Sequence, residues 1–266
     1  MVSNRTVVFL DILGFKNKIQ NESLVELSEE YERLIDTTEA MNRPFNNYKN
    51  EPPPTLFPGH HETEPWCIKH IFSDSIFLVS NGPDELSALK TLVYAWRLSQ
   101  TLLAMKMPAR GGISYGEIAM NLNKNIMLGK GLTEAYLLES KQQWIGVSID
   151  SNLEEQFPSL FQNFSDESNP LSLVFQKYPV PFKDGSFKEL YTLNWRLNFV
   201  VKDGTKSILT KETSGDIGAK ITNTLNYAKS FVSQGKVYLK GEGVPGELRT
   251  FWVGDTQPPF KHGDEY

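Results

Sequence analysis

The sequence of 266 residues is poor in cysteine, in long apolar runs and in excess positive charge. Its single cysteine, Cys67, excludes an intramolecular disulfide and is typical of a reducing compartment. No apolar run approaches the length of a membrane span, and the N-terminus lacks the apolar core of a signal peptide. The net charge of -5 argues against nucleic acid or an anionic membrane as the main partner. These absences predict a cytoplasmic globular protein that binds neither nucleic acid nor membrane.

The stretch VVFLDILGF, residues 7–15, is a short apolar run that holds one carboxylate and closes at a glycine. Branched residues over this length favour a buried strand over a helix. Asp11 lies inside the run and needs a partner, because an unpaired charge in an apolar environment is destabilising. Two interpretations are open at this point: Asp11 caps the helix that follows, or it binds a metal ion.

Two β-rich runs, 66–72 and 75–80, flank Ser73 and Asp74. Runs separated by a tight polar pair predict a hairpin, with Asp74 at or beside its tip. An aspartate in a turn commonly accepts hydrogen bonds only from its own backbone. Asp74 alone therefore does not indicate a functional site.

The remaining pattern predicts an α+β fold with a mostly antiparallel sheet and helices packed on one side of it. The proline-rich segment 42–65 is predicted to be a surface loop, and a strand is expected over 144–149. Apolar spacing predicts another helix over 215–232. We expect residues 1–200 to form the main domain, with an extension of 201–266 that packs on it.

Four segments in a fixed order carry a family resemblance. They are FLDILGF, FSDSIFLVS, RGGISYGEI and GKGLTEAYLLES, and they fall within roughly residues 5–195. Together they resemble the catalytic domain of class III nucleotidyl cyclases, the adenylate and guanylate cyclases. The resemblance implies a ferredoxin-like, palm-type fold that binds a nucleoside triphosphate.

In that family, two divalent ions, Mn²⁺ or Mg²⁺, lie on the triphosphate. The resemblance implies that Asp11, Asp74 and the backbone carbonyl of Ile12 hold them. It also implies that Gly14 and Phe15 present backbone amides to the phosphates at the start of a helix. Oxygen ligands suit these ions, and a helix N-terminus favours anions.

Three positions depart from the pattern of purine cyclases. Those enzymes read the base with Lys or Glu four residues before the second metal Asp, and they carry Asn and then Arg on the helix after the glycine turn. Here the three positions hold His70, Thr133 and Leu137. Three interpretations remain open. The protein is a purine cyclase with an atypical site, a non-catalytic nucleotide-binding module that acts through interactions, or a cyclase with a different substrate. Because Asp11 and Asp74 are both retained, a cyclase with a different substrate is favoured.

The chain also resembles the bacterial pyrimidine nucleotide cyclases of the Pycsar anti-phage system. This second resemblance is carried by Arg110 before the glycine-rich strand, the stretch EAYLLE, and the later segments YPVPFKDG and LNW. It implies a phosphorus–oxygen lyase that converts UTP, or alternatively CTP, into cyclic UMP or cyclic CMP and pyrophosphate. The product would be a second messenger in antiviral defence and would activate a separately encoded effector.

The resemblance assigns further roles. Arg110 is expected to supply the catalytic charge that Leu137 does not provide, and His70 and Thr133 are candidates for contacts with the base. Lys183 is expected to bind the triphosphate from the partner subunit. A homodimer with composite sites at the interface is therefore implied.

Overall fold

The computed structural model describes residues 2–42, 65–169, 171–195 and 215–233. Most of the loop predicted over 42–65 lies outside these ranges. The same is true of the C-terminal extension, apart from residues 215–233.

Within the described ranges, the strands form one sheet in the order β2-β3-β1-β4-β6-β8-β7, and β5 pairs with β4. All of the paired strands are antiparallel except β4 and β6, so the predicted fold class is confirmed. The order β2-β3-β1-β4 is that of a ferredoxin-like βαββαβ unit. The strands are β1 Val2–Ile12, β2 Ile68–Phe72, β3 Ser75–Val79, β4 Ala109–Asn121, β5 Ile126–Gly129, β6 Val147–Ile149, β7 Phe175–Pro181 and β8 Phe187–Leu193.

Helices connect the strands and flank the sheet. Asp84 caps the longest of them, because its side chain accepts a hydrogen bond from the Ser87 N–H at 2.9 Å. Within the described ranges, no helix combines the length and the apolar composition that a membrane crossing requires. The helices are α1 Phe15–Asn21, α2 Leu24–Asn42, α3 Glu85–Ala104, α4 Lys130–Lys141, α5 Ser151–Gln156, α6 Pro158–Ser165, α7 Leu171–Val174 and α8 Gly215–Ser233.

Helices cover both faces of the sheet, so the prediction of helices on one side was wrong. Side chains alternate between the two faces along β1. Val8 and Leu10 lie in the core that also contains Leu92 of α3. Val7 and Phe9 point the opposite way and pack with Ala135 of α4.

The close approach of α4 depends on glycines in β4. A Cβ atom on Gly112 would lie 2.2 Å from the carbonyl oxygen of Ala135, and one on Gly116 would lie 2.8 Å from the Gly131 nitrogen. The glycine-interrupted strand of the sequence is therefore a packing surface for a helix, as expected where another backbone approaches closely.

Helix α8 packs on the sheet domain through Tyr227. The Tyr227 ring is fully buried, with its centroid 4.7 Å from that of Trp144 and 4.8 Å from that of Tyr178. The predicted helix over 215–232 is confirmed. The Ile145 N–H donates to the Thr224 hydroxyl at 2.7 Å instead of to a neighbouring strand, so the strand predicted over 144–149 is reduced to β6.

The thiol of Cys67 is expected to be unreactive in the folded protein. Its side chain is 1% exposed, and burial raises its pKa to about 12. A thiol-specific chromogenic reagent should therefore react at least ~100-fold more slowly with the native protein than with the protein in denaturant. Equal rates in the two conditions would contradict the packing described for this residue.

Candidate active site

Asp11 and Asp74 are brought together where β1 meets the β2–β3 hairpin. Asp11 lies near the end of β1, paired in register with Ser75, and Asp74 is the second residue of the hairpin turn. The Ile12 N–H donates to the Asp74 carbonyl at 2.9 Å, which fixes the turn against β1. Burial raises the pKa of the Asp11 carboxyl, and the neighbouring Asp74 carboxylate raises it further. The two acids are therefore close enough to interact electrostatically.

The hairpin tip has an unusual backbone conformation that α2 supports. Ser73 has a φ of +56°, at the turn position where glycine is usual in two-residue hairpins. The Tyr31 hydroxyl donates to the Ser73 carbonyl at 3.0 Å. Burial and the Asp74 carboxylate raise the pKa of Tyr31. Tyr31 therefore helps to hold Asp74 in place, although its position in the sequence indicated only a helix face.

The oxygen ligands at this corner fit a hard divalent cation. Two carboxylates that repel each other in a partly buried position are stabilised by a cation, and Mg²⁺ and Mn²⁺ prefer such oxygen donors. In the part of the chain that the structure describes, no three His, Cys, Asp or Glu side chains gather into a metal-binding group. An ion at Asp11 and Asp74 would need further oxygen ligands from the backbone, from water or from a bound ligand, as is usual for Mg²⁺.

Arg110 lies directly opposite Asp11 in the β1–β4 pairing. Its Nε donates to the Glu139 Oε1 at 2.6 Å, and its Nη1 donates to the Gln142 carbonyl at 2.9 Å. Arg110 and Glu139 are 5% and 3% exposed. The guanidinium lowers the pKa of Asp11 against the effect of burial. Arg110 is thus beside the site, but these hydrogen bonds join it to the end of α4.

Glu139, the last residue of the EAYLLE stretch, is a site neighbour to which the sequence gave no role. Burial raises the pKa of its carboxyl, Arg110 lowers it, and the Asp11 carboxylate raises it. The helical pattern of residues 130–141 was visible in the sequence, but nothing there identified which acid turns inward toward β4. The ion pair to Arg110 depends on tertiary packing and was not predictable from spacing.

Lys183 lies on the tight turn between β7 and β8, near Asp11 of the same chain. The Gly185 N–H closes the turn onto the Phe182 carbonyl at 3.0 Å, and the Lys183 N–H donates to the Lys141 carbonyl at the end of α4 at 2.8 Å. The pKa values of Asp11 and Glu139 are both raised by burial, and the Lys183 ammonium opposes this rise. Delivery of Lys183 from a partner subunit stays a prediction, and within its own chain the lysine acts electrostatically on Asp11.

His70 lies on the same face of the sheet as Asp11. It pairs with Phe77, which in turn pairs with Phe9, two residues before Asp11. The ring centroids are 6.4 Å apart for His70 and Phe77 and 5.1 Å apart for Phe77 and Phe9. Tyr136 of α4 continues this row, with its ring edge against Phe9 at 5.4 Å. The sequence suggested His70 but not the three aromatic residues beside it.

Thr133 and Leu137 lie on the exposed side of α4. The Thr133 hydroxyl donates to the Gly129 carbonyl one turn earlier at 3.2 Å. Leu137 is 43% exposed. The predicted contact of Thr133 with the base stays untested. Leu137, for which no contact was predicted, stands where purine cyclases carry an arginine.

Gly14 precedes the first residue of α1, Phe15, shortly after the end of β1. Gly14 has a φ of +79°, a conformation that favours glycine, and it turns the chain from β1 into the helix. The Phe15 side chain is 8% exposed and its ring packs against Tyr31 at 5.9 Å. The ring of Phe15 is therefore a core element, and its predicted phosphate contact falls to its backbone N–H.

No protein-family model and no curated protein sequence matches the chain. Solved structures give distant likenesses. The guanylate cyclase domain of RhGC from Catenaria anguillulae in complex with GTP is 14% identical, with 73% of this chain and 98% of that one covered and a TM-score of 0.44. The adenylyl cyclase CyaB from P. aeruginosa is 15% identical, with 73% and 96% covered and a TM-score of 0.44. A bacterial light-regulated adenylyl cyclase is 11% identical, with 78% and 98% covered and a TM-score of 0.45.

Proposed function

We propose that the protein is a nucleotide cyclase that converts a pyrimidine nucleoside triphosphate into its 3′,5′-cyclic monophosphate and pyrophosphate. The observation that carries this proposal is the pairing of Asp11 with the hairpin tip that bears Asp74. Two partly buried carboxylates that repel each other are stabilised by a cation. Arg110 and Lys183 supply positive charge that acts on Asp11. This combination suits a bound metal–triphosphate complex.

Phosphoryl transfer of this kind needs positioning and charge stabilisation more than covalent help from the protein. Divalent ions, when bound, would activate the ribose 3′-hydroxyl and neutralise charge on the leaving pyrophosphate. Asp11 and Asp74 would hold these ions, with the Ile12 carbonyl as a third ligand. The backbone amide after Gly14 and the ammonium of Lys183 would bind phosphate oxygens.

The aromatic row beside Asp11 supports a base-binding role for that face. Phe77, which is partly exposed and packs on the buried Phe9, offers apolar surface for a planar ring, and His70 at the end of the row supplies a hydrogen-bonding group. His70 replaces the residue that reads the purine base in purine cyclases, and Thr133 and Leu137 replace the Asn and Arg of their transition-state pair. These replacements, with both metal carboxylates kept, support a changed substrate, for which we propose a pyrimidine nucleotide. UTP is proposed ahead of CTP, because the resemblance favours producers of cyclic UMP.

The proposal includes a cytoplasmic homodimer whose product acts on a separate effector in antiviral defence. Large apolar side chains remain exposed on α4 and the neighbouring β5, which supports an interface there. They are Ile126, Leu128, Tyr136 and Leu137, with 44%, 58%, 51% and 43% of each exposed.

Incubation with each of the four nucleoside triphosphates and Mn²⁺ tests the proposal. We expect cyclic UMP, or else cyclic CMP, together with an equal amount of pyrophosphate, measured by chromatography and a phosphate-release assay. A cyclic purine product would establish the purine cyclase with an atypical site. Binding of nucleotide without any cyclic product would establish the non-catalytic module.

A further inference from the structure

A second lysine that acts electrostatically on Asp11 lies on helix α8. Asp216 and Thr224, each one helical turn from Lys220, bond to Gln143 and Ile145, so Lys220 lies on the side of α8 that faces the main domain, and 15% of its side chain is exposed. The ammonium groups of Lys220 and Lys183 both oppose the rise that burial causes in the pKa of Asp11. Two lysines from different elements therefore add positive charge near the same carboxylate.

Hydrogen bonds fix α8 in this position. The Gln143 side-chain amide donates to the Asp216 Oδ1 at 2.7 Å, and the Asn223 side-chain amide donates to the Gln143 carbonyl at 2.7 Å. Gln143 follows the residue whose carbonyl accepts from Arg110. The Gln143 N–H also donates to the Pro181 carbonyl at 2.8 Å, next to the turn that bears Lys183. One short segment thus connects α8, the lysine turn and the arginine opposite Asp11.

Lys220 is paired with Asp216 one helical turn earlier, at 2.6 Å. The side chain of Asp216 is 61% exposed, so water screens this ion pair. An exposed pair within one helix is weak and can be exchanged for a more highly charged partner. A triphosphate carries several negative charges and strong acceptor oxygens, which suits such an exchange.

We propose that Lys220, together with Lys183 of the same chain, binds phosphate oxygens of the nucleotide held at Asp11 and Asp74, and that Asp216 holds Lys220 in the absence of nucleotide. The inference rests on the proposed function for the identity of the ligand. It makes α8 part of the anion-binding wall, and the site draws its lysines from its own subunit. Asp216 becomes a competitor of the substrate.

Binding of inorganic tripolyphosphate in the presence of Mn²⁺, measured by calorimetry, tests this role without requiring turnover. We expect Lys220→Ala to weaken binding about 10-fold, the usual effect of losing one charge-assisted hydrogen bond. Lys220→Arg should restore most of it. Asp216→Asn should strengthen binding by roughly 2- to 5-fold, because it removes the competing carboxylate.

The opposite signs for Lys220→Ala and Asp216→Asn separate ligand binding from a structural ion pair. If the pair only stabilises α8, both variants lower the melting temperature and weaken binding together, which would overturn the proposal. Lys177→Ala is the matched control, since Lys177 also pairs with an acid, Glu154 at 3.2 Å, and should leave binding unchanged. Weaker tripolyphosphate binding by this control would show that the loss of any paired lysine weakens binding, and would also overturn the proposal.

Mixed subunits test whether the lysine serves its own chain. Asp11→Ala and Lys220→Ala subunits are mixed and assayed for cyclic product. Because both residues belong to one site, no mixed dimer has an intact site and activity should stay low. Recovery of activity would place Lys220 in the partner's site and overturn the proposal. If no nucleoside triphosphate is cyclised by the wild type while Lys220→Ala still loses tripolyphosphate binding, the proposed function fails and the lysine site stands.

Discussion

An Asp74→Asn variant is expected to lose at least ~100-fold of the proposed cyclase activity while folding normally. Loss of groups that merely support a metal ligand already lowers affinity or activity about 10- to 100-fold, so loss of a ligand itself should be at least as severe. Asparagine matches aspartate in size and opens no cavity, so the fold should persist. Cyclic product formation with UTP and CTP in Mn²⁺ gives the first measurement, and the melting temperature gives the second.

The same variant should reveal the electrostatic cost of the site. The raised pKa of Asp11 means that the metal-free folded state binds its proton more tightly than the unfolded state does. The contribution of Asp11 to stability is therefore fully present below its ordinary pKa of 3.8 and is lost as the pH rises through the raised value. At neutral pH without metal, Asp74→Asn removes one repelling charge and should melt no lower than the wild type. The wild type, but not the variant, should gain stability from Mn²⁺ and nucleotide.

Asp166→Asn provides a matched control, because Asp166 is an exposed turn residue that accepts a hydrogen bond from the Ser168 N–H at 2.9 Å. It should leave turnover and the Mn²⁺ response unchanged. An Asp74→Asn protein that turns over normally would remove Asp74 from the site. One that unfolds would show that its carboxylate supports the hairpin instead.

The parts of the fold that depend on local pattern were predictable from the sequence. The apolar run around Asp11, the tight polar pair at Asp74 and the helical spacing after Gly215 each correspond to an observed strand, hairpin or helix. These signals are short in range, because alternation, turn residues and 3.6-residue spacing act within one element. These patterns also gave the element order, and the family resemblance added the ferredoxin-like arrangement that the first four strands adopt.

The missed features depend on which element packs where. The second helical layer depends on the glycines of β4, because their lack of a Cβ atom leaves room for the α4 backbone. Glycines in a strand do not indicate which element packs against them. Glu139, Tyr31 and Lys220 approach the site from three separate helices. The apolar spacing identified each of them only as a helical residue. Their nearness to Asp11 depends on the tertiary arrangement, which the spacing does not give.

Breaking the Arg110–Glu139 ion pair is expected to have the largest effect on stability. Both side chains are buried, so Arg110→Met leaves a carboxylate without its cation and should lower the free energy of unfolding by about 3–5 kcal/mol. The double variant Arg110→Met/Glu139→Leu replaces both charges with apolar groups and should recover most of that loss. Urea unfolding of the wild type, both single variants and the double variant measures the coupling. Additive losses would contradict a direct interaction.

The double variant also separates the two roles of Arg110. Compared with Glu139→Leu, which removes only the carboxylate that repels Asp11, the double variant lacks in addition the cation that lowers the pKa of Asp11. Metal binding then has to compete with a more tightly held proton, so the acidic limb of the activity profile should move to higher pH and activity at neutral pH should fall. If the double variant keeps both the wild-type rate and the wild-type pH profile, Arg110 supports only the fold, and the charge that aids the reaction has to come from the lysines around Asp11.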